Sequence, residues 1–505
     1  MKNVKVFCGL TILLLAGRSG WAGQASLPGG LSTGPFTPGF RLIETSDASR
    51  SFPSADGAGA AARPMRIYVW YPAKPTAAAR MRFDDYVRMT LEDFRPSALP
   101  VPLAKGLDPR GLAGLRDQSV ESVRDAEPGP GKFPVLVFGQ GLFFESPLSN
   151  FVLCEYLASH GYVVATSPLL GTLYRLVNIN VEDVETEVRD MEFVMAEAAR
   201  QPYAEPRKRG IIGFDLGGMA GLIMAMRDLR VGAFLSLDCG ILDRHHTGLP
   251  AAHPQYREER FRIPWMHLTQ AGFIRPEKDR AEKPSLFERK LYGPSYLVHV
   301  PTTNHGDFSS YAALGISCEG PGYWNAPLGA GAKPLYEAIC RAALAFFDGH
   351  LRADRGRLEE MLRAGTSSDG PGLRIEHKAG QTAPPTEAVL VDLITNKGIA
   401  AARAEIERVR AAFPGVTLVD ESVLNWLAIY FQYWWGRESE ALGVFELNVV
   451  LHPGSWSASD SLGEAYAARG RKDDAIRTYK RSLELNPEDP NAKAALEGLT
   501  GPIKK

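Results

Sequence analysis

The sequence predicts an α/β fold, a mostly parallel doubly wound sheet, followed by a small all-α helical-repeat domain. Two observations lead there. Apolar runs of strand length alternate with helical patterns from Phe133 to Leu351. That alternation gives a parallel sheet covered on both faces. Beyond a Gly/Pro/Thr-rich stretch, residues 365–387, the pattern turns to helix only and an internal repeat sets in. The chain has 505 residues, enough for roughly two to four domains. Hydrophobic content of 45% excludes global disorder. A formal net charge of -1 with no basic face argues against a nucleic-acid partner.

Residues 1–23 read as a secretory signal peptide. Lys2 and Lys5 form the positive start, Val6 to Ala16 the short apolar core, and Gly20-Trp21-Ala22 the small-residue cleavage site. The apolar run falls short of the ~20 residues that a membrane span needs, and no later segment is apolar for longer. The expected location is the periplasm or the outside. Cys154, Cys239, Cys318 and Cys340 then remain. Cys318 and Cys340 flank a Gly/Pro-rich loop and form the best candidate disulfide; the alternative is four small buried hydrophobes. Their spacing fits no metal site.

The first domain is expected over residues 24–364. Phe40 to Glu44 reads as a strand, and Met65 to Pro72 as a second, ended by proline. Residues 83–94 read as a helix, and Arg95 to Gly131 as an irregular stretch punctuated by Pro and Gly. Phe133 to Phe138 is apolar and too short for a helix, so it is a central strand. Asn150 to His160 is a helix stopped by Gly161. Further strands are expected at Tyr162–Thr166, Arg209–Ile212, Val231–Leu237, Ile263–Thr269 and Tyr296–Val300, with helices at Val181–Arg200 and Lys333–Leu351.

Residues 388–500 carry the repeat. Gly436, Ala441, Phe445 and Pro453 recur 34 residues later as Gly470, Ala475, Tyr479 and Pro487. Leu462-Gly463-x-x-Tyr466, then Ala475, Tyr479 and Pro487, resembles a tetratricopeptide repeat. Residues 388–413 would be a degenerate first unit, and three units make a small stable array. Such an array could take a peptide or partner protein, or could be a rigid appendage. The aromatics Trp426, Tyr430, Phe431, Tyr433, Trp434 and Trp435 are expected mostly as packing between helices.

The chemistry centres on Gly213-Phe214-Asp215-Leu216-Gly217-Gly218. A buried-looking strand enters this stretch and a small-residue helix leaves it, the shape of a nucleophile elbow. The usual occupant of the apex is Ser; here it is Asp215. An elbow nucleophile needs a base, an acid that orients the base, and an oxyanion hole. His305 lies in the loop after the last strand and is the candidate base. Asp238 ends the strand after the elbow helix and is the candidate orienter; the following strand ends in Thr269-Gln270-Ala271 without an acid. The backbone N–H groups of Leu142 and Leu216 are the expected oxyanion donors. His245, His246 and His253 are expected as surface or cover residues.

Arg66 to Pro72, Pro134 to Leu142, Tyr156 to Val164 and Leu235 to Asp238 resemble the α/β-hydrolases. Asp238 after the elbow, with His305 near Asp307-Phe308, most resembles the platelet-activating-factor acetylhydrolase group, with dienelactone-hydrolase-like proteins nearby. The resemblance covers roughly residues 38–351. It implies an ester-bond hydrolase that acts on a small molecule or lipid and needs neither cofactor nor metal. Two residues depart from it: Asp215 stands for Ser, and Gln140 stands where a His commonly precedes the oxyanion glycine.

An elbow Asp also resembles the haloalkane-dehalogenase and epoxide-hydrolase branches of this fold. That resemblance implies attack on a saturated carbon, then hydrolysis of the resulting ester by a His-activated water. Those branches usually carry Trp after the Asp, where this chain has Leu216. A third reading is an inactive fold that serves as a binding scaffold with its helical repeats. The pairing of His305 with Asp238 favours activity, since an inactive site has no use for an orienter.

Overall fold

Strands buried on both faces carry unbroken apolar runs, and the centre of this protein is built from them. In the computed structural model all seven residues of β4 (Phe133–Gly139) are buried. The structure describes residues 30–53, 59–94, 114–142, 146, 149–173, 177–242, 248–301, 304–316, 331–365 and 372–501. The expected signal peptide, Cys318, His245 and His246 lie outside them. The chain divides into two compact units, Met1–Gln381 and Thr382–Lys505.

The first unit holds a ten-stranded sheet. Its strands are β1 (Thr37–Pro53), β2 (Ala60–Ala73), β3 (Val123–Arg124), β4, β5 (Val163–Thr166), β6 (Ala204–Phe214), β7 (Val231–Leu237), β8 (Trp265–Gln270), β9 (Ser295–Val300) and β10 (Arg374–Lys378). Their order is β10-β9-β8-β7-β6-β4-β5-β2-β1-β3. From β5 to β9 all neighbours are parallel; β2 joins β5 antiparallel and β1 joins β2 antiparallel.

Alternate residues of β4 feed two cores. Leu136 and Phe138 pack with α2 (Phe151–Ser159) and α5 (Ala332–Leu351), whereas Val135 and Val137 pack with α3 (Val181–Ala199) and α4 (Leu216–Arg227). The sheet is therefore covered on both faces, as the alternation predicted. The expected helix over residues 83–94 is α1 (Phe83–Phe94).

Two stretches differ from expectation. The linker 365–387 is not irregular throughout: β10 adds to β9 antiparallel, with Ile375 buried and Glu376 paired to Arg280 and His299. The open edge of β9 offers unpaired backbone groups, and a short stretch with one buried apolar residue satisfies them. Within Arg95 to Gly131, Val123–Arg124 forms a short parallel strand on β1. Cys154, Cys239 and Cys340 are buried free thiols. Cys340 is a buried core residue of α5; its expected partner Cys318 lies outside the described residues.

The second unit is all helical among its described residues: Glu387–Lys397, Ile399–Ala412, Glu421–Tyr433, Glu438–Leu451, Trp456–Ala468, Lys472–Leu485 and Pro490–Thr500. Ala441, Phe445, Ala475 and Tyr479, the repeating positions, are all buried. The repeating Gly436 and Gly470 both take positive φ, +62° and +70°. The aromatic cluster departs from expectation. Phe431 alone enters the core with Leu424, Leu427 and Ala428, whereas Trp426, Tyr430, Tyr433, Trp434 and Trp435 are exposed. Among the described residues no helix is long and apolar enough to cross a membrane.

The tightest packing lies where β4, β6 and α4 meet. A Cβ on Gly217 would sit 2.2 Å from the carbonyl carbon and oxygen of Gly139, and one on Gly213 2.4 Å from the carbonyl oxygen of Gly217. Backbone cannot yield as a flexible side chain can. Gly217→Ala should therefore destabilise the protein by about 1–3 kcal/mol or more; urea unfolding reads this, and an unchanged midpoint would contradict it.

Candidate active site

Four parallel strands, β4, β6, β7 and β9, deliver the candidate residues from their carboxyl ends, where ligands of open α/β sheets bind. Asp215 follows β6 directly and takes φ 49°, ψ -115°. A non-glycine residue in such a region costs about 1–3 kcal/mol and persists only where its surroundings fix it. Here they do. The Asp215 N–H donates to the Leu237 carbonyl at 3.1 Å, and the Asp215 carbonyl accepts from Gly218 and Met219 at 3.0 and 3.3 Å. The bend lifts the Asp215 side chain off the sheet, where it is half-buried.

The carboxylate lands on the expected oxyanion donors. Leu142 N–H donates to Asp215 Oδ2 at 3.0 Å, and the Leu216 N–H donates to the same carboxylate. Burial pushes the Asp215 pKa up. The nearby His305 and the two N–H groups pull it back, and the net shift is upward.

Asp238 follows β7, also at positive φ, 41°. Its Oδ2 meets His305 Nδ1 at 2.6 Å. Thr269 Oγ1 and the Gln270 N–H donate to its Oδ1 at 2.7 and 3.1 Å, and Gln270 Nε2 donates to its Oδ2 at 2.7 Å. Burial opposes the charge, but the bonds from His305, Thr269 and Gln270 hold the carboxyl below its usual range. His305 opens a short turn after β9 and lies flat on the Phe214 ring, centroids 4.5 Å apart at 19°. Burial pushes its imidazole down, but the bond and charge of Asp238 and the charge of Asp215 raise it above the ordinary value. With Nδ1 turned to Asp238, Nε2 is the nitrogen through which the ring can move a substrate proton.

All the expected residues thus meet: Asp215, Asp238, His305 and the N–H groups of Leu142 and Leu216. Sequence reasoning missed Thr269 and Gln270. They occupy the end of β8, noted only for lacking an acid, and instead supply the donors that keep Asp238 ionised. It also missed the stacking of Phe214, which is hidden inside an ordinary apolar strand. Gln140, noted as a departure, is a buried hub. Its side chain donates to Thr166 Oγ1 at 2.8 Å and accepts from Asn150 Nδ2 at 3.1 Å, while its carbonyl accepts the Gly217 N–H at 2.9 Å. His253, expected as a surface or cover residue, is buried and meets Glu185 Oε2 at 3.1 Å.

No family model and no curated protein matches the sequence. Solved structures do. The structure of a ferulic acid esterase from Streptomyces cinnamoneus matches with a TM-score of 0.50 at 22% identity, over 68% of this chain and 96% of that one. The fold is that of the α/β-hydrolases. Within it, Asp215 stands at the end of β6, and His305 and Asp238 stand at the ends of β9 and β7.

The raised His305 pKa and the lowered Asp238 pKa act on stability in opposite pH ranges. The His305 contribution is full below the ordinary imidazole pKa and is lost as pH rises through the folded value. That of Asp238 is present above the ordinary carboxylate range and is lost as pH falls through its folded value. Asp238→Asn should make His305 titrate at lower pH than in the wild type. Imidazole resonances followed by NMR read this, and an unmoved titration would contradict the pairing.

Proposed function

We propose that this protein is a hydrolase that works through a covalent aspartyl ester, with Asp215 as nucleophile, His305 as base and Asp238 as the orienter of His305. The observation that carries the reading is the Leu142 N–H bond to Asp215 Oδ2. It turns Oδ2 toward the Leu142 N–H and leaves Oδ1 to attack. Oδ1 displaces the leaving group from a saturated carbon: a halide departs as an ion with the bond's electron pair, whereas the oxygen of an opened epoxide takes that pair, stays on the substrate and picks up a proton from solvent. Water then attacks Cγ of the ester while His305 takes its proton. The negative charge collects on Oδ2, already on the Leu142 N–H. Collapse breaks the bond between Cγ and Oδ1, which leaves as the oxygen of the product alcohol and takes the proton back from His305, while the oxygen of the water stays on Asp215.

An ester is the second reading. The solved structure it resembles is that of an esterase, and every part of the esterase apparatus except the hydroxyl is retained. Attack of Asp215 on an ester carbonyl would form an anhydride, which water opens. Against this route, Oδ2 already occupies the donors that a substrate carbonyl would need.

The second unit serves, on the same reading, as a tetratricopeptide-like surface for a peptide or partner protein, and residues 1–23 direct export. The N-terminus of the mature secreted protein would then be Gly23, as protein sequencing would show; retention of Met1 would overturn export.

Assays on a haloalkane, epoxide, ester and lactone panel separate the two substrate readings. Asp215→Asn should lower kcat by about a thousandfold or more. His305→Gln should accumulate an adduct on Asp215, visible as added mass on its peptide. Asp215→Ser should lose the alkyl-ester route and gain esterase turnover. Wild-type turnover that survives Asp215→Asn unchanged would sink both readings.

A further inference from the structure

The residue just before the bend at Asp215 touches both other parts of the site. Phe214, the last residue of β6, is buried and joins the core that also holds Leu136, Val300 and Phe308. One face of its ring lies against the His305 imidazole, with centroids 4.5 Å apart and planes 19° from parallel. Its edge closes on the turn after β4: a Cβ on Gly141 would sit 2.9 Å from Phe214 Cδ1 and 3.2 Å from its Cε1. One ring thus meets the candidate base and the turn that carries the Leu142 N–H, and a single peptide bond joins it to Asp215.

We propose that Phe214 is a positioning residue for the base: its ring face fixes the plane of the His305 imidazole and so the direction in which Nε2 points. The hydrogen bond to Asp238 cannot do this alone. It holds one atom, Nδ1, at 2.6 Å and leaves the ring free to turn about the line of that bond. The torsion that turns an imidazole is broad, without the sharp wells of an aliphatic side chain. A flat contact removes that freedom, because a tilt drives the edge of one ring into the face of the other. Nε2 takes a proton only from a partner within about 3 Å, so a tilted ring would carry it out of reach.

The same contact acts on charge. The negative face of an aromatic ring attracts a cation within about 6 Å of its centroid, so Phe214 favours the protonated imidazole. Burial opposes that charge, whereas Asp238 from the end of β7 and Asp215 from the end of β6 support it. The end of β8 brings the uncharged Thr269 and Gln270, both bonded to Asp238. A leucine in place of Phe214 keeps the apolar core and removes the ring face.

The test compares the full-length wild type with Phe214→Leu. Leu136→Val is the control for lost packing, since Leu136 lies in the same core and pairs with Gly210, four residues before Phe214 on β6. Histidine ring resonances are followed by NMR, with His305 assigned by the signal missing from His305→Gln. In the wild type the ring current of Phe214 should shift the His305 ring protons upfield. In Phe214→Leu they should return to ordinary positions, and His305 should titrate at lower pH. Leu136→Val should lose stability and leave both unmoved. The inference rests on the aspartyl-nucleophile reading only for turnover: Phe214→Leu should lower kcat by about tenfold or more with little change in KM. A wild type without turnover would count against that reading and leave the resonances to decide on Phe214. Ordinary His305 positions in the wild type, or a Phe214→Leu protein in which His305 titrates as in the wild type, would overturn the inference. If Phe214→Leu fails to fold, the wild-type upfield shift decides alone.

Discussion

The hydrogen bond from the Leu142 amide to the Asp215 carboxylate organises this protein's site. It joins the turn after β4 to the bend after β6, and both elements must be held within tenths of an ångström for it to form. Asp215 can reach it only from φ 49°, a conformation that an ordinary side chain avoids. The sheet supplies what the local backbone lacks. Leu237 of the neighbouring strand accepts the Asp215 N–H, and the contact of Gly217 with Gly139 brings the start of α4 against the end of β4. The strain is thus balanced by parallel strand pairing on both sides of β6, which burial of Ile211, Ile212 and Phe214 makes hard to deform.

The same hydrogen bond gives the Asp-for-Ser replacement its meaning. A serine hydroxyl would stand beside the two N–H groups and leave them to a substrate. A carboxylate has two oxygens, and one of them takes that place itself. The donors then serve Asp215 twice. They favour its ionised form against burial, and on the proposed route they face the atom on which charge would collect as its ester is hydrolysed.

Much of this was legible in the sequence because its signals were local. The unbroken apolar run of β4 and the glycines around Asp215 each follow from a constraint within a few residues. Asp238 and His305 could be placed because each ends a strand whose order along the chain was readable. What escaped depends on contacts between distant segments. Thr269 and Gln270 look like any strand end until Asp238 is beside them. Phe214 looks like core until His305 lies on it. The short run Arg374–Lys378 has too little pattern to stand out from a linker, and only the open edge of β9 makes it a strand. The exposed Trp426, Tyr430, Tyr433, Trp434 and Trp435 were misjudged for a related reason. Aromatic content suggests packing, but the spacing of Trp426, Tyr430 and Tyr433 sets them on the side of their helix opposite Leu424, Leu427 and Phe431, and Trp434 and Trp435 follow its end.

The electrostatics of the trio also give the proposed reaction its order. At rest His305 lies between two carboxylates, and both raise its hold on a proton. Alkylation of Asp215 removes that residue's charge. One of the two pulls on the imidazole proton then disappears, whereas Asp238 keeps the ring in place. On the proposed route the loss of that charge lowers the His305 pKa, which favours uptake of a proton from the attacking water. Return of Asp215 to a carboxylate restores the pull as the alcohol leaves. A neutral serine at the apex carries no charge that could change in this way, so on the proposed route the elbow carboxylate also acts on the His305 imidazole.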